Sequence, residues 1–268
     1  MIPLTALILS YNEEANIGRT LAALSLFEKA VLIDSFSTDR TTEIAKTTHA
    51  IAQVFQRAFD THTKQWNFGL DQIATEWVLT LDADYELSPE LQEEIAKLEP
   101  SIDAVGYSAE FVYRIFGHSL RASSYPPRVV LFRKSQARYV DDGHTQTLWI
   151  KTASRDLRPP EDSGHVTKLS GKIYHDDRKP LSHWIQAQDR YAAIEARHLL
   201  ATPLGQLSFQ DRLRRQIFFA APAMFLYLLF GRGLILDGWP GWFYVAQRCI
   251  AELLLSMRLL IEREKLKS

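Results

Sequence analysis

The sequence predicts an α/β fold: a parallel sheet flanked by helices on both faces, with a helical tail behind it. Three observations lead there. Four short apolar runs, each followed by a segment of helical periodicity, fill the first hundred residues. The runs are nearly continuous rather than alternating, as strands buried on both faces require. Polar side chains stand where the runs end, the edge at which such sheets bind ligands.

The first run is Leu4-Thr5-Ala6-Leu7-Ile8-Leu9. Ser10, with Glu13 three residues on, reads as a capping box for a helix carrying Ile17, Leu21 and Leu24. Ala30-Val31-Leu32-Ile33 ends at Asp34, followed by a Ser/Thr/Asp turn and a helix through Ile44. A third strand, near Ile51 to Phe55, leads to a helix around Lys64 to Ile73. The fourth, Trp77-Val78-Leu79-Thr80-Leu81, ends in Asp82. Ser10-Tyr11-Asn12, Asp34 and Asp82 are thereby expected to meet at one edge of the sheet. From about Ala104 the pattern changes. Val105 to Tyr113 and Val129 to Phe132 read as strands, separated by a loop with Tyr125-Pro126-Pro127. Asp141 to Asp177 reads as polar and loop-rich, with His144, His165 and His175. Helical spacing returns at Trp184, Ala187, Tyr191, Ile194 and His198. The division expected is a ligand-binding domain over 1–180 and a helical extension over 181–268.

Composition narrows the function classes. A net charge of −1 gives no electrostatic case for nucleic acid. The single cysteine, Cys249, can form neither an internal disulfide nor a thiolate zinc cluster, which points to a reducing compartment. Met1-Ile2-Pro3-Leu4 lacks the flank and cleavage pattern of a signal peptide, so a cytoplasmic protein is expected. No G-x-G-x-x-G follows the first strand, which argues against a dinucleotide-dependent oxidoreductase. Ser10 to Ile17 holds no glycine, lysine or arginine, which argues against nucleotidyl transfer on a basic phosphate loop.

The tail has its own signature. Arg212, Arg214 and Arg215 precede an apolar stretch, Ile217 to Phe230, interrupted by Pro222. Spanning a bilayer takes ~20 apolar residues, and this stretch is shorter. A last helix sets Trp242, Val245, Cys249, Leu253 and Leu260 against Arg248, Glu252, Arg258 and Glu262. Basic residues beside a tryptophan-bearing amphipathic helix predict an element lying on the membrane surface. The alternative is a helical hairpin packed on the domain or on a second copy of the chain, a homo-oligomer.

Leu81-Asp82-Ala83-Asp84 carries the most chemistry. Two carboxylates one residue apart at a strand end are hard oxygen ligands of the kind Mg²⁺ or Mn²⁺ selects, with phosphate oxygens completing the shell. An Asp-x-Asp tripeptide alone is weak evidence, and its place after the fourth strand gives it weight. Asp34 is freed for a base or ribose, because Ser37, Thr38 and Asp39 can cap the next helix instead. A late histidine, His175 in Ile173-Tyr174-His175-Asp176-Asp177, is a candidate additional metal ligand.

With these residues in view, the chain resembles family 2 glycosyltransferases, closest to the branch containing lipopolysaccharide-core β-glucosyltransferases. Leu9-Ser10-Tyr11-Asn12-Glu13-Glu14-Ala15-Asn16-Ile17 resembles the family's first strand and Asn-Glu loop. Ile33-Asp34-Ser35-Phe36-Ser37-Thr38-Asp39-Arg40-Thr41 resembles its nucleotide segment, with Phe36 and Arg40 in place of glycines. Trp77 to Asp84 resembles its metal strand, and Leu236 to Gly241 a tail segment whose flanking helices associate with membrane. The resemblance implies a GT-A, Rossmann-like nucleotide-sugar domain with a mixed sheet. It implies that Asn12 and Asp34 line the nucleotide pocket, where the strand-end reading adds Ser10 and Tyr11, that Asp82 contacts the nucleoside sugar or the metal shell, that Asp84 binds a Mg²⁺ or Mn²⁺ ion, and that His175 matches a late histidine directed to the metal or diphosphate.

The reaction expected is inverting transfer of a hexose from a nucleotide sugar, a UDP sugar first, to a glycan or lipid-linked acceptor in cell-envelope polysaccharide or lipopolysaccharide synthesis. It would take place on the cytoplasmic face of the inner membrane. Such a transfer needs a base for the acceptor hydroxyl. Asp141, Asp142 and His144 are the candidates, with Asp142 preferred. Two departures from the branch stand out: Tyr85 follows Asp84 where an acid is usual, and Thr145 follows His144 where a glutamate is usual. A donor-binding scaffold that pairs with an active transferase is the non-catalytic alternative.

Overall fold

A computed structural model describes the chain except residues 1, 28, 49–50, 124, 143–144, 152–156, 159–164, 218 and 266–268. It forms two compact units, one of Met1–Phe116 with Tyr125–Arg178, the other of Gly117–Ser124 with Lys179–Ser268.

The first unit opens with β1 (Leu4–Ser10), α1 (Ile17–Ala22), β2 (Ala30–Asp34), α2 (Thr41–Thr47), β3 (Ile51–Gln56), α3 (His62–Gln72) and β4 (Trp77–Asp82). There follow β5 (Tyr85–Leu87), α4 (Pro89–Ala96) and β6 (Gly106–Ile115). The two-residue β7 (His118–Ser119) falls in the second unit. The first unit ends with β8 (Arg128–Arg133), β9 (Ala137–Asp142), β10 (Thr145–Lys151), β11 (Leu157–Arg158) and β12 (Val166–His175). The main sheet runs β3-β2-β1-β4-β8-β6-β12-β5, and a smaller sheet runs β11-β10-β9.

β1 to β4 are parallel, as the repeated strand–helix pattern requires. Beyond β4 the sheet is mixed. β8 is antiparallel to both β4 and β6, β6 and β12 are parallel, and β5 is antiparallel to β12. The continuous apolar runs have a direct cause, because β1 is buried on both sides. Ala6 and Ile8 join Ile17, Leu21, Leu79 and Leu91 in one core, while Leu7 joins Ile33, Trp66, Leu70 and Phe132 in the other.

Two local expectations are corrected. Ser10 does not cap α1: it stays in β1 and its hydroxyl donates to Asp34, while the helix begins at Ile17 behind Asn16 with no side-chain cap. A buried acid within reach outcompetes the backbone for that hydroxyl. The polar segment from Asp141 to Asp177 also holds a ten-residue strand, β12, alongside β10 and β11. Its alternation is obscured because Lys168 and Lys172 face out beside Glu110, while Leu169 and Ile173 face the core. Gly171 of β12 lies against Leu91 of α4, where a Cβ would overlap Leu91 backbone. Gly171→Ala is therefore expected to cost about 2 kcal/mol through overpacking. An unchanged denaturant midpoint would contradict that packing.

The second unit is helical: α5 (Leu181–Ala201), α6 (Phe209–Arg215), α7 (Ala220–Leu226) and α8 (Trp239–Lys265). Ala192, Ala196 and Leu199 of α5 meet Leu255 and Leu259 of α8 in its core, the small alanines permitting close approach. The expectation that Glu252 lines a polar face is corrected. It is only 3% exposed and holds Arg214 at 2.8 Å. Arg215 is likewise spent, donating to the Thr202 carbonyl. Among the described residues no helix is long and apolar enough to cross a membrane.

Candidate functional site

The C-terminal ends of β1 and β2 build the first part of the site. Asp34, fully buried, accepts from the Ser10 hydroxyl at 2.9 Å and from the Ser37 amide and hydroxyl at 2.9 and 2.5 Å. Asn12 stands with φ +53°, a left-handed conformation asparagine tolerates. Its amide donates to Ser37 Oγ, and its Oδ1 accepts from the Thr38 amide at 2.8 Å. The β1 and β2 loops are thus laced together around Asp34. Asp39 completes the lacing by accepting from Thr41 and from the Glu14 amide. Burial works against its charge, yet these bonds hold Asp39 below the usual carboxylate range. Tyr11 is 54% exposed, and Phe36 is exposed as well.

The second part forms where β4, β5 and β12 end. The Thr20 hydroxyl of α1 donates to the Ala83 carbonyl at 2.7 Å and fixes the turn between Asp82 and Asp84. The β5–β12 register sets His175 opposite Tyr85, which brings its Nε2 to 3.1 Å from Asp84 Oδ2. Rings of Tyr85, Tyr113 and Tyr125 stand 4.6–5.2 Å from the imidazole and fix its plane. Burial pulls His175 down, but Asp84, then Asp82 and Asp177, outweigh it and raise its pKa. Asp82 is raised too, by burial first and by the charge of Asp84 second.

A network behind these carboxylates holds β12 to α1. Asp176, fully buried, accepts from Arg178 Nη2 at 2.7 Å and lies 3.5 Å from Arg19 Nη1. Arg19 reaches the Asp176 carbonyl at 2.8 Å and Glu86 at 3.3 Å. Asn16 joins Glu13, Asp177 and the Arg178 amide. The Asp176 amide also donates to the Asp84 carbonyl. The position of His175 relative to Asp84 therefore rests on this network.

The sequence-derived candidates fall into three groups. Ser10, Asn12 and Asp34 are hydrogen-bonded into one cluster, with Tyr11 at its mouth. Asp84 and His175 meet in the second, with the charge of Asp82 acting on both. Of the base candidates, the position of one side chain is described. Asp141 is an exposed residue of β9, and no hydrogen bond or ion pair joins it to Asp82 or Asp84 among the described residues. His144 and the side chain of Asp142 lie outside the described residues. β9 itself is anchored, since Asn67 of α3 clamps the Tyr139 backbone with bonds of 2.8 and 3.1 Å.

Sequence reasoning missed Tyr125 and Arg128. The Arg128 guanidinium lies 4.5 Å over the Tyr125 ring, and the Tyr125 hydroxyl is 2.5 Å from that of Tyr85. Burial pushes the Tyr125 hydroxyl up to about 12. The antiparallel β4–β8 pairing, Leu79 opposite Leu131, runs β8 back toward the end of β4, and the Arg128 charge acts on Asp82, a relation that local spacing does not reveal.

Whether these residues suit a divalent ion can be asked of the donors themselves. Asp84 and His175 present one carboxylate and one imidazole to the same point. Nδ1 of His175 is buried without a partner, so the ring is not fixed by a hydrogen bond on its far side. No cluster of three or more ligating side chains occurs among the described residues. This sparse set fits Mg²⁺ or Mn²⁺ that draws its remaining oxygens from phosphate and water, and not an all-protein cage.

Comparisons with known proteins agree on the class. The chain is 26% identical over 209 residues to an uncharacterized glycosyltransferase of Rickettsia prowazekii, covering 75% of this chain and 69% of that protein. It is 24% identical over 245 residues to the lipopolysaccharide core biosynthesis glycosyltransferase LpsC of Rhizobium meliloti, covering 90% and 85%. Among solved structures it is similar to a mannosyltransferase of Pyrobaculum calidifontis in complex with GDP-Man and Mn²⁺. There the TM-score is 0.51 at 13% identity, over 96% of this chain and 87% of that one, a likeness of fold. The sequence model of Glycosyl transferase family 2 matches residues 5–152, over half the chain. With its GT-A sheet and acidic strand end, the chain belongs to glycosyl transferase family 2.

Proposed function

We propose that the protein transfers a hexose from a nucleotide sugar, a UDP sugar first, to a glycan or lipid-linked acceptor of the cell envelope, with inversion. The observation that carries this is the meeting of Asp84 and His175, 3.1 Å apart, beside the Asp34 cluster on the same edge of the sheet. Asp34, with Ser10, Tyr11 and Asn12, binds the nucleoside. Asp84, Asp82 and His175 hold Mg²⁺ or Mn²⁺, which supplies positive charge to the departing diphosphate. Asp82 contacts the nucleoside sugar or the metal shell. A carboxylate or imidazole at the end of β9, Asp142 before Asp141 or His144, takes the acceptor proton. Positioning and charge stabilisation supply most of the rate enhancement.

The experiment is a panel of UDP and GDP sugars with Mn²⁺, read as nucleoside diphosphate release and as transfer to envelope glycolipid. Release and transfer from one donor are expected. Binding without turnover across every donor and acceptor would favour the scaffold reading.

In this reading residues 1–180 carry the chemistry and residues 181–268 hold the enzyme on the cytoplasmic membrane surface. Support comes from large apolar residues exposed in the tail, among them Phe230, Leu236, Trp239 and Trp242. Leu236→Ser with Trp239→Ser is expected to lower co-sedimentation with anionic vesicles about tenfold, from the apolar area withdrawn. Unchanged co-sedimentation would sink the membrane assignment, and a dimer lost in the same variant would replace it with self-association.

A further inference from the structure

Arg128 has a feature the donor reading leaves unused. Arg128 is exposed as a residue, its guanidinium rests on the Tyr125 ring, and it makes no hydrogen bond or ion pair among the described residues. Tyr125 lies beneath it, and the charges of three tyrosines and a carboxylate act on it. Tyr125, Tyr85 and Asp82, then Tyr139, raise its pKa against the burial that lowers it. Tyr85 and Tyr125 are joined hydroxyl to hydroxyl, and Tyr139 donates to Thr80 at 3.1 Å, so the cradle is rigid.

A cation held this way keeps its planar fork of donors for a ligand. From Leu131, paired with Leu79, β8 runs back toward the end of β4, and the Arg128 charge acts on Asp82. The complementary ligand is an oxyanion presenting two acceptors, since guanidinium recognises phosphate through paired N–H bonds. Stacking on Tyr125 fixes the plane, so little entropy is lost when the fork engages.

We propose that Arg128 binds the terminal phosphate of the nucleoside diphosphate, as the protein's own cation across from Asp84. This rests on the donor reading above. Asp84 and His175 face the diphosphate from the β5–β12 side and Arg128 from the β8 side. The leaving group thereby receives charge from two directions. Arg128 does not touch the nucleoside, which the Asp34 cluster holds, so its contribution appears with a diphosphate and not with a monophosphate.

The test is calorimetric titration of the full chain with UDP, UMP, GDP and GMP, in Mn²⁺ and again in EDTA, on wild type, Arg128→Met and Arg128→Lys. Methionine keeps apolar contact with Tyr125, and matching near-ultraviolet spectra show that the fold is kept. In Arg128→Met, affinity for the preferred diphosphate is expected to fall about 10–100-fold, with its monophosphate changed less than about twofold. The loss is read in Mn²⁺, where the diphosphate binds, and the EDTA titrations set the metal-free baseline. Lysine recovers part of it, since it restores charge without the fork. Diphosphate affinity equal to wild type overturns the proposal. So does equal loss of mono- and diphosphate, the mark of a structural role, or a raised acceptor KM with diphosphate binding intact, which assigns Arg128 to an acceptor phosphate. Wild type that binds neither diphosphate overturns the donor reading itself, and this inference with it.

Discussion

Asp84→Asn is expected to lower the rate of sugar transfer about a thousandfold, the scale of removing a group that stabilises transition-state charge. The substitution is nearly isosteric, and the fold should tolerate it. The Asp84 carbonyl still receives the Asp176 amide, and the His175 ring stays boxed by Tyr85, Tyr113 and Tyr125. What disappears is the anionic oxygen 3.1 Å from His175 Nε2. Steady-state rates across Mn²⁺ concentrations check this. A variant that keeps wild-type turnover and wild-type metal dependence removes Asp84 from the site.

Asp176→Ala should produce the largest loss of stability. Asp176 is fully buried and faces two arginines, Arg178 at 2.7 Å and Arg19 at 3.5 Å. Deleting it leaves both guanidinium groups without their shared anion. Removing one partner of a buried pair costs ~3–5 kcal/mol, and because both arginines are partly exposed about 3 kcal/mol is expected. The effect spreads to function, because the next residue back along β12 is His175. Loosening the strand end moves the imidazole off Asp84, so metal-dependent activity falls even at temperatures where the variant is folded. Denaturant unfolding followed by activity at low temperature separates the two effects. A midpoint and activity equal to wild type would contradict the bracing role of the network.

What could be read from the sequence followed physical range. β1 to β4 were visible because burial on both faces leaves a continuous apolar signature, and each strand sits next to the helix that covers it. Strand-end acids were visible for the same reason. Asp34 and Asp82 needed only the position of their own strands. His175 was singled out as a residue type, yet its distance to Asp84 depends on β12 pairing with β5, some ninety residues earlier in the chain. Arg128 carried no local mark. Its place follows from an antiparallel register between β8 and β4, which local periodicity does not encode. β12 was read as loop because its outward lysines and central Gly171 break the pattern that exposes a strand. Ser10 and Glu13 matched a capping box by spacing, and a buried carboxylate 2.9 Å from Ser10 Oγ overrode the match. The tail misleads in one respect: Glu252 reads as surface charge, yet it is buried and paired with the partly exposed Arg214.

The most direct test of the donor site is thermal stability with UDP and with GDP, each with Mn²⁺ and with EDTA, on wild type and Asp84→Asn. Ligand that binds only the folded state adds RT ln(1 + [L]/Kd), about 2.7 kcal/mol at a hundredfold excess over Kd. A site built on Asp34, Asp84 and His175 predicts a rise with one nucleotide that needs Mn²⁺ and disappears in Asp84→Asn. No rise with either nucleotide in the presence of Mn²⁺ would contradict it.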